Sequence, residues 1–183
     1  MGTSFAIDVP QFLVERLKRG DMRALEEVYR LFEQRVHALA WRLLNDRDEA
    51  RVVLHDAMLA VFDKRAQFRG DSPFWGWLRQ IAVNEALMRL RKRRIDYVEE
   101  LPELADLEAS VPVAASRPEL ERALGQLPEL TRSVVWLYYV EGYTHEEIAS
   151  AFGRTPSFSK SQLSRGTARL RAQLAAPEVA AYA

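Results

Sequence analysis

The chain has 183 residues, 48% of them hydrophobic and none of them cysteine, with 26 basic side chains against 26 acidic ones. That length holds one ordinary domain or two small ones, and the apolar share argues against a chain disordered throughout. The lack of cysteine excludes a disulfide framework and thiolate metal sites and suits a reducing cytoplasm. The histidines His37, His55 and His145 have no metal-ligand spacing, so no metal or cofactor is expected.

Met1 to Pro10 has no basic segment followed by an apolar run, so it does not read as a secretory signal. No apolar stretch approaches the roughly 20 residues that span a bilayer, and no membrane contact is expected. Helical periodicity dominates and no alternating strand pattern occurs, so the expected class is all-α. After a break at Gly20, Asp21 is an N-cap for a helix from Met22 to Leu44. Leu25, Val28, Tyr29, Phe32, Val36, Leu39, Ala40 and Leu43 recur there at three- and four-residue steps. A second helix runs from Arg47 to Phe62, with Ala50, Val53, Leu54, Ala57, Met58, Val61 and Phe62 on one face. Phe68 to Pro73 reads as a loop, with Ser72 as N-cap and Pro73 suited to a first helical position. A third long helix covers roughly Phe74 to Arg94, with Trp77, Leu78, Ile81 and Ala82 inward.

Residues 95–118 read as an acidic linker, with Pro102, Pro112 and Pro118 and a small-residue patch at 113–116. Helical pattern resumes at Glu119 with Leu120, Ala123, Leu124 and Leu127, breaks at Pro128 and resumes from Thr131 to Val140. Thr144-His145-Glu146-Glu147 is a capping box that opens a short helix ending at Gly153. Thr155-Pro156 starts a last helix to about Leu174. The expected organisation is a domain over 8–94, the linker over 95–118, a second domain over 119–174 and an Ala-rich, fraying tail over 175–183.

The zero net charge hides a segregation. Residues 1–94 hold 18 bases and 13 acids, a balance of +5; residues 95–118 hold one base and six acids, a balance of −5. From Arg154 to Arg171 there are five bases and no acid. Two basic surfaces beside an acidic connector suit two contacts with a polyanion, although charged runs on solvated helix faces give the same count. The capped helix, its Gly turn and the basic helix that follows form a helix-turn-helix, whose second helix enters the DNA major groove. Lys160 and Arg165 suit phosphate or guanine; Ser157, Ser159, Ser161, Gln162 and Ser164 are able to reach base edges.

Phe68-Arg69-Gly70-Asp71-Ser72-Pro73-Phe74-Trp75-Gly76-Trp77-Leu78-Arg79-Gln80-Ile81-Ala82-Val83-Asn84 is similar, without a gap, to the promoter-melting segment of extracytoplasmic-function sigma factors. The basic run that follows this segment in the family is here Arg89, Arg91, Lys92, Arg93 and Arg94. The stretch from Leu127-Pro128 through Gly142-Tyr143-Thr144-His145-Glu146-Glu147-Ile148-Ala149 to Gly153 resembles the family's second domain, in the same order. The resemblance implies a sigma factor that binds core RNA polymerase and directs promoter-specific initiation. It implies that the third helix and its loop hold the non-template strand of the minus-ten element, with a base flipped into a pocket at Phe68, Arg69, Gly70, Asp71 and Ser72. Asn84 would hydrogen-bond a base edge, Trp75 would stack, and Arg91, Lys92, Arg93 and Arg94 would hold phosphates. Trp77 fits the buried face better than a stacking role. The last helix would read the minus-thirty-five element as duplex through Arg154, Ser157, Lys160, Ser161, Gln162, Ser164 and Arg165. The linker would thread the polymerase channel, although its composition fits a solvated tether equally. An anti-sigma factor or another protein regulator is implied as partner.

Two departures stand out. The acidic cluster that docks the family on the polymerase clamp, of the form D-A-E-D-L-V-Q-E, reads Glu49-Ala50-Arg51-Val52-Val53-Leu54-His55-Asp56, so Arg51 and Val52 replace acids while Asp48, Glu49 and Asp56 remain. This predicts weak docking until an activating event or partner supplies charge or contact, unless the cognate polymerase compensates. A phosphate would have to come from elsewhere, since no Ser, Thr or Tyr lies between Asn45 and Phe62. In the last helix Gln162 replaces an arginine and Ser159 an apolar anchor of V-K-S-R-L. A helix-turn-helix regulator that never engages polymerase is the competing reading. An enzyme is not expected: His55-Asp56 is the one acid–base candidate, and adjacent helical residues diverge.

Overall fold

The computed structural model describes residues 9–94 and 116–175, every regular element of which is helical. Contacts divide the chain into two compact units that part near Arg89. The expected linker up to residue 115 and the tail beyond Ala175 lie outside the described residues, as do the side chains of Arg93 and Arg94. None of the described helices is long and apolar enough to cross a membrane.

The N-terminal unit contains α1 (Gln11–Lys18), α2 (Met22–Leu44), α3 (Arg47–Asp63), a 3-10 turn (Arg65–Gln67) and α4 (Phe74–Arg94). Helix α1 was not legible in the sequence, because one short turn pair, Leu13 and Leu17, carries all its buried surface. Asp21 caps α2, its carboxylate accepting from the Arg23 N–H at 2.9 Å. Asn45 ends α2 in the left-handed region (φ +52°), which Asn tolerates better than most residues. One residue later Asp46 caps α3 through the Asp48 and Glu49 N–H groups, both at 3.0 Å. Helices α2 and α3 thus fold back as a pair across two residues, burying Val28, Phe32, Val36 and Leu43 against Val53, Ala57 and Val61. Leu25, Tyr29 and Phe62 lie only partly in that stripe. Helix α4 starts at Phe74, one residue beyond the expected position of Pro73. Pro73 stays outside it, its carbonyl accepting from the Gly76 N–H at 2.9 Å.

The C-terminal unit contains α5 (Arg117–Gly125), α6 (Glu129–Tyr139), α7 (His145–Phe152) and α8 (Pro156–Ala175). Helix α5 begins two residues before the apolar pattern, because Ser116 and Glu119 form a capping box that periodicity does not reveal. The box read at Thr144 is present: Glu147 accepts from the Thr144 N–H at 2.8 Å and Thr144 from the Glu147 N–H at 3.2 Å. Helix α7 ends on Gly153 (φ +62°), with Arg154 N–H to Ala149 O at 2.8 Å and Gly153 N–H to Ser150 O at 3.1 Å, the Schellman pattern. Helix α8 packs on α5, α6 and α7, so the core of the unit lies along it: Ala123, Leu127, Val135 and Leu170, with Leu163 and Leu174 against them.

Candidate functional site

The loop before α4 is anchored from below by an aromatic cluster. Phe68 is 7% exposed, its ring 5.2 Å from both Phe74 and Trp77. Phe68 therefore does not reach a ligand; it holds down the loop, which corrects its expected role. The tip beyond it is open: Arg69, Gly70, Asp71 and Ser72 are all exposed, and Gly70 has φ +87°, a conformation that glycine adopts without strain. Arg69 and Asp71 pair across Gly70 at 3.1 Å. Lys18, at the end of α1, stands 5.6 Å from the Phe68 ring, so a cation of the unpredicted helix lies at the foot of the loop.

On α4, Asn84 is exposed, its Oδ1 accepting from Gln80 Nε2 at a long 3.4 Å, so its amide is available to another partner. Arg91 and Lys92 are exposed further along. Trp75 and Trp77 are both half-buried. Trp75 lies flat on Phe32, centroids 5.7 Å apart and planes 6° from parallel, which takes up one ring face. Trp77 packs on Phe68 and Phe74.

Arg89 departs from the phosphate-holding run in which the sequence set it. Its Nη1 donates to Glu49 Oε2 and its Nη2 to Asp56 Oδ2, both at 2.7 Å. The two acids lie seven residues apart on α3, two helical turns on one side, so a single planar guanidinium spans them. Hydrogen bonds from Asp56 and then Glu49 raise the Arg89 pKa against the opposing effect of burial. Asp56 is thus committed to Arg89 and forms no acid–base pair with His55. Asp48 lies 3.3 Å from Arg51, in an exposed pair. Val52 is exposed beside them, and Leu59, two turns on, is 50% exposed. The sequence missed the role of Arg89 because its partners are 40 and 33 positions away.

In the helix-turn-helix, Arg154, Ser157 and Lys160 are exposed, and Ser161, Ser164 and Arg165 half-buried. Gln162 is not on that face. It is 4% exposed, its Oε1 accepting from Thr131 Oγ1 at 2.7 Å. Ser159 is fully buried, 3.0 Å from His145 Nδ1. Both were expected to reach base edges; both instead supply the polar half of an interhelical hydrogen bond, because their positions on α8 face α6 and α7. The His145 ring also stacks on Tyr138, with centroids 4.7 Å apart.

Family comparison matches residues 28–95 to sigma-70 region 2 and residues 117–170 to sigma-70 region 4. The RNA polymerase sigma-H factor of Pseudomonas aeruginosa is 34% identical over 156 residues, covering 76% of this chain and 80% of its own length. The ECF RNA polymerase sigma factor SigM of Mycobacterium tuberculosis is 31% identical over 154 residues (82% and 77%). The ECF RNA polymerase sigma-E factor of Escherichia coli is 31% identical over 155 residues (76% and 81%). The sigma factor RpoE of Bartonella quintana, solved in complex with the anti-sigma factor NepR, shares the fold, with a TM-score of 0.53 over 84% of this chain and 98% of that one at 22% identity.

Proposed function

The chain belongs to the extracytoplasmic-function sigma factors of the sigma-70 family, and from that membership we propose that it docks on core RNA polymerase through α3, reads the minus-ten element with α4 and its loop, and reads the minus-thirty-five element with α8. The observation that carries the reading is the presence in one chain of a region 2 and a region 4, each with open polar groups at its DNA-facing positions. In the first, the tip from Arg69 to Ser72 is the pocket for a flipped base and Asn84 reads its edge. Arg91 and Lys92 hold the backbone, with Arg93 and Arg94 after them, and Trp75 offers its outer ring face. In the second, Arg154, Ser157, Lys160, Ser161, Ser164 and Arg165 face the major groove.

Docking is weak in the free chain. Arg51 and Val52 stand where the family carries acids, and each remaining acid of the cluster has a guanidinium beside it. An activating event or partner then supplies the missing charge or contact. An anti-sigma factor or another protein regulator controls the factor, which acts in the cytoplasm with its polymerase. The neutralised cluster also favours a second reading, a regulator that binds DNA without polymerase.

Run-off transcription with core polymerase of the source organism on a promoter library decides. Promoter-specific transcripts that disappear with Asn84→Ala, at unchanged thermal stability, are expected. Sequence-specific DNA binding with no affinity for core polymerase would overturn the sigma reading in favour of the second.

A further inference from the structure

The carboxylates left on α3 are compensated by two different kinds of ion pair. Asp48 and Arg51 are 91% and 73% exposed, a surface pair that water screens and that re-partners easily. The fork of Arg89 is different. Its side chain is 28% exposed, between Glu49 at 30% and Asp56 at 36%, and both contacts are short and charge-assisted. Across these five side chains, three carboxylates face two guanidiniums, leaving one net negative charge where three acids had been read. A partner cation that approaches Glu49 or Asp56 meets a carboxylate already neutralised from within the chain. It has to displace Arg89, or share the oxygens that Arg89 leaves.

Resting on the docking of α3 on polymerase, we propose that Arg89 sets the strength of that docking: it is an internal counter-cation that competes with basic side chains of the polymerase for Glu49 and Asp56. Arg89 is then a positioning residue of the docking surface and not a member of the phosphate-holding run on α4. The depletion at Arg51 and Val52 and the fork at Arg89 act in the same direction, and either is sufficient to lower the affinity.

The test is the affinity of the full chain for core polymerase, measured by biolayer interferometry over a salt series, for wild type, Arg89→Gln and Arg89→Lys. Arg89→Gln is expected to bind about tenfold tighter, with a steeper salt dependence because two carboxylates become open to the partner. Arg89→Lys keeps one charge but lacks the planar fork, so it frees one carboxylate and gains about threefold. Circular dichroism follows folding, and if Arg89→Gln unfolds, Arg89→Lys decides. A residue that only braces α3 on α4 leaves affinity and salt slope unchanged or weakened in both variants, and that result overturns the proposal while wild-type binding keeps the docking reading intact. Failure of wild type and of both variants to bind core polymerase overturns the docking reading, and the proposal with it.

Discussion

Adding one methyl group at Gly166 tests the closest packing in the C-terminal unit. Gly166 lies in the middle of α8, where α8 crosses α6. A Cβ there would overlap Val135 Cγ2 and lie 2.9 Å from Thr131 Cγ2. Neither neighbour gives way easily. Both are β-branched and stiff at χ1, and the Thr131 hydroxyl is tied to Gln162 at 2.7 Å, which fixes where its methyl points. Gly166→Ala gains about 1 kcal/mol of helix propensity and loses about 2–3 kcal/mol to overpacking, a net cost of about 1–2 kcal/mol. For a unit of this size that lowers the melting temperature by about 5–15 °C. Scanning calorimetry of the full chain measures it, and hydrogen exchange of peptides over α6 and α8 assigns the loss to this unit. Pairing the change with Val135→Ala should recover part of the loss, a coupling that distinguishes overlap from a general helix effect. An unchanged or raised melting temperature for Gly166→Ala alone would refute the close approach of α8 to α6.

Restoring acids with Arg51→Glu and Val52→Asp should tighten binding to core polymerase about tenfold or more at little cost in stability, because both positions are exposed; unchanged affinity would sink the idea of weak docking. At low pH the hydrogen bond from Arg16 holds the Asp21 carboxyl below its usual range, so its contribution is present above the ordinary carboxylate pKa and is lost as pH falls through the lowered value. Asp21→Asn should therefore flatten the acid limb of the stability profile of the N-terminal unit, as read by circular dichroism in a pH series.

The parts of the fold written in local pattern were legible. The caps at Asp21 and Thr144, the stripes of α2 and α3 and the turn at Gly153 are each set by residues within a few positions of one another. Helix α1 and the start of α5 were not, since the first carries one pair of buried leucines and the second is defined by a capping box. The candidate site divided along the same line. The exposure of Asn84, Arg91 and Lys160 follows from helical phase. The roles of Phe68, Arg89, Ser159 and Gln162 depend on partners in other elements, and residue type misled in each case. A polar residue on a basic helix looks like a DNA contact until the helix beside it supplies a hydroxyl or an imidazole.

The two polar pairs inside the helix-turn-helix, Thr131 with Gln162 and Ser159 with His145, also bear on how many ways α8 can settle. An apolar seam tolerates sliding and small rotations, because dispersion contacts are nearly isotropic. A buried hydrogen bond is directional, and a register shift of α8 would leave a hydroxyl, an amide and an imidazole unsatisfied away from water. Each pair therefore acts as an index pin. Together they penalise every seating of the reading helix but one, so the same set of side chains meets the groove each time the chain folds.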